Sequence, residues 1–296
     1  MTKLSNHQSG QTTKLLLIGD SGSGKTGALA SLASAGYNLW IIDLDNGLDV
    51  IKNLLLDPKS PYEKGAADRV HFITLTDSRK NSGGKLIPTQ ANTWQNVSKL
   101  LSGELAWGEE GKVRAVDLTT QDVLVIDSLT FLSKAALNFN LQMNGRLGQK
   151  PFQSDWYDGQ LAVEALLETL YDKEIKCNVV VISHIVFIGE DNGPQQGYPA
   201  TLGKALSPKV GRYFNSALQA KTIGVGQNRK RVIVTDTMGM VELKNSAPLS
   251  VKKEYPLATG LADFFKDVRS SNQAPQGGEN VVTLKPEVVQ APTASA

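Results

Sequence analysis

From Lys14 onward, short runs of apolar, mostly β-branched residues alternate with longer stretches whose apolar positions recur at helical spacing. The runs predict strands at residues 14–18, 39–44, 70–75, 123–127, 179–183, 217–223 and 231–235. Several, such as LLLI and VVVI, are apolar throughout, the pattern of strands covered on both faces. The stretches between them leave room for crossover helices, one of them expected near Trp94–Leu101. The expected fold class is therefore α/β, a mostly parallel twisted sheet flanked by helices. Gly224–Asn228, between the last two runs, reads as a hairpin turn and predicts antiparallel pairing at that edge. No internal repeat is present. SGELAWGEEGK reads as an exposed stretch without a function, and residues 51–121 carry few further signals.

The ends have a different texture. Residues 1–13 are rich in Ser, Thr and Gln and read as a flexible arm, residues 14–268 as one domain, and residues 269–296 as a disordered tail in which only VVTL is apolar. A chain of 296 residues with 41% hydrophobic content can bury one large core. Its 31 basic and 29 acidic residues leave a formal charge of +2, so a nucleic-acid site would have to be local rather than a global field. The single cysteine, Cys177, excludes an intrachain disulfide and suits a small buried side chain in a reducing compartment. With no apolar segment of membrane-spanning length, a soluble, cytoplasmic protein is expected.

Candidate chemistry begins where the first strand ends. Gly19-Asp20-Ser21-Gly22-Ser23-Gly24-Lys25-Thr26 satisfies the pattern GxxxxGK[ST] directly after LLLI and before the helical stretch GALASLASAG. Glycines let successive backbone N–H groups face phosphate oxygens, and the helix that follows adds its positive end. Lys25 is expected to neutralise the β and γ phosphates of ATP, and Thr26 to place its hydroxyl on Mg2+. The apolar run VLVID supplies a second metal ligand, Asp127, at a strand end. LWIIDLDNGLDV offers Asp43 and Asp45 as the carboxylate that orients attacking water, with Asp45 favoured because it reaches further. VVVISHI presents Ser183 and His184 at a strand end, where His184 could sense the γ-phosphate.

In this order the motifs resemble those of the RecA family of recombination ATPases, from Leu15 to about Asn245. The resemblance implies a RecA-like P-loop core, with Asp45 standing where that family has a catalytic Glu and His184 where it has a Gln reporting on the γ-phosphate. It implies that residues 141–170 and 195–220 correspond to the two DNA-binding loops and their flanks. VELKNSAP resembles the strand whose lysines reach a neighbour's ATP, making Lys244 a candidate trans-acting cation. The chain lacks the long terminal additions of bacterial RecA and is closer to the compact RecA-like ATPases of bacteriophages, some of which assist single-strand annealing and recombination; a phage origin would place it in a host bacterium's cytoplasm.

Single strands are held by cations on phosphates and by aromatic faces under bases. Arg146, Lys150, Phe152, Trp156 and Tyr157 offer such an interleaving, followed by Tyr198, Lys204, Lys209 and Arg212. The alternative is that Trp156 and Tyr157 pack at the start of a helix. The expected function is thus a DNA-stimulated ATPase, homo-oligomeric as ring or filament, with single-stranded DNA and a single-strand binding protein as partners. A hexameric helicase or packaging-type motor, and a nucleotide-gated DNA-binding module that scarcely hydrolyses ATP, are the alternatives.

Overall fold

The computed structural model describes residues 12–190, 193–237 and 239–272. Most of the expected N-terminal arm, and the expected tail from residue 273, lie outside the described residues. In chain order the elements are β1 (Lys14–Gly19), α1 (Lys25–Ala28), α2 (Ala30–Ser34), β2 (Asn38–Asp43), α3 (Asp49–Leu56), β3 (Val70–Thr74), β4 (Ser78–Ser82) and β5 (Lys85–Gln90). There follow α4 (Thr93–Leu101), β6 (Asp122–Asp127), α5 (Leu129–Met143), α6 (Gln153–Tyr171), β7 (Asn178–Gly189) and β8 (Gln195–Pro199). The chain continues through α7 (Gly203–Leu206), β9 (Ser216–Ile223), β10 (Lys230–Val234), β11 (Glu254–Pro256) and α8 (Gly260–Asn272).

The main sheet runs β11-β10-β9-β1-β7-β6-β2-β3. The six strands from β9 to β3 are parallel, and β10 and β11 add antiparallel pairs at one edge. This is the expected α/β class, with the expected hairpin between β9 and β10. Alternation along β1 sends Leu16 and Ile18 to one face and Leu15 and Leu17 to the other. The first pair joins Trp40, Ile42, Leu124 and Ile126 beneath the helices α4, α5 and α6. The second joins Leu39, Ile41, Val123 and Val125 beneath α2 and α8, where Phe264 and Phe265 are buried. Each such side chain contributes about 1.5–3 kcal/mol on burial, and burial on both faces is why the strand runs read as continuously apolar.

Four features depart from the sequence reading. The strand carrying His184 does not end there: β7 continues to Gly189 and folds back as an antiparallel hairpin with β8. Trp156 and Tyr157 lie on α6, which starts at Gln153, rather than in a loop. Trp107, within the stretch expected to be exposed, is buried with its ring edge-on to Trp40 at 5.4 Å. The last helix runs past the expected boundary at residue 268, to Asn272. Cys177 is fully buried, and burial pushes its thiol up to about 11.

Candidate functional site

The parallel strands end on one line. Gly19 pairs with His184, Asp127 with Ile182, and Asp43 with both Asp127 and Thr74. The order across the edge is therefore phosphate loop, Ser183–His184, Asp127, Asp43, with the His184 strand inserted between the loop and Asp127. Sequence order could not give this, because β7 lies more than 150 residues after β1 and enters the sheet beside it.

The loop after β1 has the shape of an anion cradle. Gly22 and Gly24 have φ of 75° and 95°, values that favour glycine. Gly19 is fixed differently: an added Cβ would lie 2.3 Å from the Ala220 carbonyl oxygen. The backbone N–H groups of Gly22, Gly24, Lys25 and Thr26 find no acceptor among the described residues, and the buried Ser23 hydroxyl is likewise unpartnered. Lys25 folds back over the loop, its Nζ donating to the carbonyls of Gly19 (2.9 Å) and Asp20 (2.8 Å). Burial lowers the Lys25 pKa, against the pull of Asp127, Asp20 and Asp45. Leu29 keeps right-handed helical angles between α1 and α2, so the helical segment after the loop is nearly continuous.

Thr26 and Asp127 meet across the sheet edge, with Thr26 Oγ1 donating to Asp127 Oδ2 at 2.6 Å. Burial pushes the Asp127 carboxyl up to about 7; the Thr26 hydroxyl and Lys25 oppose the shift, and Asp45 and Asp43 add to it. A buried carboxylate beside a hydroxyl is a hard-oxygen pair that suits a magnesium ion, which takes few protein ligands and keeps its waters. Among the described residues there is no group of three or more His, Cys, Asp or Glu that could hold a metal. The Thr26–Asp127 pair fits a metal that completes its shell with substrate phosphate and water.

Asp43 and Asp45 divide clearly. Asp43 closes β2 and is buried; its Oδ1 accepts from Gly47 N (3.2 Å) and its Oδ2 from Thr74 Oγ1 (3.0 Å). Asp45 lies past the strand end with Oδ1 buried and unpartnered among the described residues, and burial and then Asp43 raise its pKa. Of the two, Asp45 is the carboxylate left available to a ligand. His184 has a lowered pKa, first from burial and then from Lys25, which favours its neutral imidazole. Thr130, at the start of α5, fastens its backbone: His184 N donates to Thr130 Oγ1 (3.1 Å), and Thr130 Oγ1 donates to Ala200 O (2.9 Å). Ala200 N in turn donates to His184 O at 2.7 Å. Thr130 was not singled out from the sequence; its only signal is its place just after the strand bearing Asp127.

The expected strand-binding residues fare unevenly. Arg146 pairs with the fully buried Asp155 and covers the Phe152 ring at 4.2 Å. Burial alone would raise the Asp155 pKa, but hydrogen bonds from Phe152 N, Arg146 and Asn144 hold it below the usual range. Arg212 pairs with Glu164 at 2.8 Å and covers Tyr213, with Lys209 also near Glu164. Both arginines are held in ion pairs within the fold, though Arg146 Nη1 is buried without a partner among the described residues. Phe152, Trp156 and Tyr157 are 63%, 36% and 60% exposed, and Lys150 and Lys204 are exposed, with no ion pair to another described residue. Lys244 is exposed on an isolated bridge to Ala217, not on a strand, and partial desolvation lowers its pKa against the pull of Glu242.

A parallel sheet with a glycine loop after its central strand, a lysine and threonine opening the helix, and a carboxylate two strands away is the arrangement of a P-loop ATPase. A family profile described as AAA domain matches residues 11–247, and the chain belongs to that family. Solved structures with a similar chain path include the KaiC-like protein PH0186 from Pyrococcus horikoshii OT3, at 11% identity over 82% of this chain and 84% of that one, TM-score 0.40. The flagellar accessory protein FlaH from Methanocaldococcus jannaschii shares 12% identity over 84% and 87% of the two chains, TM-score 0.39. A type III secretion ATPase of pathogenic bacteria shares 12% over 70% of this chain and 51% of that chain, TM-score 0.40. No curated protein matches the sequence significantly. Likeness of this degree assigns no partner or substrate to the chain.

Proposed function

We propose that the protein is a magnesium-dependent, DNA-stimulated ATPase that binds single-stranded DNA as a homo-oligomer, in strand annealing or recombination of the bacteriophage type. The observation that carries the catalytic half is the convergence of Lys25, Thr26, Asp127, Asp45 and His184 on one sheet edge. The loop N–H groups and Lys25 bind the triphosphate, and Lys25 leaves the Gly19 and Asp20 carbonyls to reach it. Magnesium, when bound by Thr26 and Asp127, offsets phosphate charge. Asp45 orients the attacking water and accepts its proton, a task its raised pKa suits. The neutral His184 imidazole hydrogen-bonds the γ-phosphate, and the Thr130–Ala200 bonds carry its position into the β7–β8 hairpin.

The strand-binding half rests on the exposed Phe152, Trp156 and Tyr157 with Lys150 and Lys204. Arg146 and Arg212, each held in an ion pair, shape that surface rather than contact phosphate. Lys244 is the proposed cation supplied to a neighbour's nucleotide. Steady-state ATP hydrolysis with and without a single-stranded oligonucleotide tests the reading. Stimulation that weakens as salt rises is the expected result. Turnover indifferent to DNA would reject the strand-binding half, DNA-driven duplex unwinding would move the protein to the motor class, and binding without turnover would leave a nucleotide-gated module.

A further inference from the structure

The nucleotide site and the aromatic surface leave one built element without a role, the β4–β5 hairpin. Its strands pair only with each other, and every residue of β4 is exposed. Such a two-stranded ribbon is marginally stable in water without a partner. It is nonetheless anchored at its base: Ala91 N donates to Gln142 Oε1 of α5 (2.6 Å), and Asp77 accepts from Thr93 N (3.1 Å) and Asn138 Nδ2 (2.9 Å).

Its register gives its two faces different neighbours. Lys80 stands opposite Ile87, and an added Cβ on Gly148 would lie 3.5 Å from Ile87 Cγ2, so that face turns toward the segment that carries Lys150 and Phe152. Arg79 stands opposite Pro88 on the other face and lines a cavity of about 330 Å³, together with Asp45, Asp77, Thr93 and Lys134. Thr93 is buried, and its hydroxyl has no partner among the described residues. Arg79, Lys80 and Lys134 are exposed and make no ion pair or hydrogen bond to another described residue through their side chains, whereas Asp77 is engaged at both oxygens. Ile87, opposite Lys80, and Leu86, opposite Asn81, are both exposed.

Resting on the strand-binding reading above, we infer that the β4–β5 hairpin is a second nucleic-acid contact. A backbone phosphate of the single strand sits at the cavity mouth between Arg79 and Lys134, and Lys80 holds a neighbouring phosphate on the Lys150 side. Lys80 beside the exposed Ile87 on one face, and Arg79 with Lys134 on the other, set cations next to apolar surface, which suits a polymer that alternates phosphate and base. Because the cavity ends at Asp45, strand occupancy is felt at the carboxylate that orients water, which gives DNA a direct route to the hydrolysis rate.

The test uses the full chain, a labelled oligo-dT and a salt series, with wild type, Lys80→Ala and the double variant Arg79→Ala/Lys134→Ala. The expected result is weaker binding with a salt slope lower by roughly 0.7 per lost phosphate contact. The double variant should also keep its DNA-free ATPase rate and lose most of the DNA-stimulated increment. Wild type and double variant binding with equal affinity and slope would overturn the inference while leaving the strand-binding reading intact. Wild type failing to bind oligo-dT would overturn both. Inorganic phosphate displacing the oligonucleotide at equal phosphate concentration would reassign the cavity to a free anion, and a changed oligomer size with an unchanged slope would make the hairpin a contact between copies.

Discussion

All six residues of β1 are buried, whereas all five of β4 are exposed. Strand β1 has a partner on each side and a helical layer over each face, and its terminal glycine cannot accept a Cβ without meeting a backbone carbonyl. Strand β4 has one partner and is held at its base by hydrogen bonds from loops and α5. The nucleotide edge is thus fixed by packing, where a shift of a few tenths of an ångström is resisted from every side. The hairpin proposed above as a strand contact is fixed at its roots and open above them. Chemistry that needs set distances sits on the first, and capture of a long flexible polymer suits the second.

That contrast can be tested at several strengths. Lys25→Ala should lower ATP turnover by roughly 100-fold or more, read by phosphate release, because the charge developing on the transferred phosphoryl loses its main side-chain partner. Asp127→Asn should abolish magnesium-dependent turnover yet stabilise the metal-free fold. The Asp127 carboxyl titrates near 7 in the folded protein against 3.8 unfolded, so between those values the folded state binds the extra proton. Stability of the wild type should therefore fall as pH rises from 4 to 7, and Asn should remove that dependence, by up to about 4 kcal/mol at 1.36 kcal/mol per pH unit. A melting series without metal that slopes the other way would sink this account. Gly19→Ala should cost about 1–3 kcal/mol in denaturant unfolding, since the colliding atom is backbone and cannot rotate away. Trp156→Ala should weaken strand affinity by a comparable amount, about 1–3 kcal/mol, with the salt slope and DNA-free turnover unchanged. A salt slope that moved with it would place Trp156 in a structural rather than a stacking role.

The same contrast decides what the sequence discloses. Parallel strands buried on both faces appear as VLVID or VVVIS, and each was legible to within a residue at most ends. The phosphate loop was legible because its glycines, lysine and threonine answer one local demand. Ser-Arg-Lys-Asn-Ser shows no alternation, because neither face of β4 is buried, so nothing marks it as a strand. The β7–β8 hairpin was hidden for a related reason: Phe187 is exposed and Gly197 fits only because an added Cβ would crowd Ile185, Val241 and Phe187. The Arg146–Asp155 pair has no helical or strand spacing to signal it, and an unpaired-looking arginine beside aromatics read as a nucleic-acid contact. Asp43 and Asp45 could not be separated by alternation, since the turn after β2, with Asn46 at φ 58°, decides which one is engaged.

The central place of β1 also bears on how the chain is made. Lys14 pairs with Val179, and Leu15 with Ser216, so both neighbours of the first strand are synthesised long after it. A ribosome that has released only the first half of the chain has released the whole glycine loop but neither flank of the strand that shapes it. Closing such long loops is slow, and the strand waits with bare edges until it closes. Nucleotide affinity should therefore emerge late and abruptly in a series of arrested nascent chains, once β9 has left the exit tunnel, rather than growing in step with length.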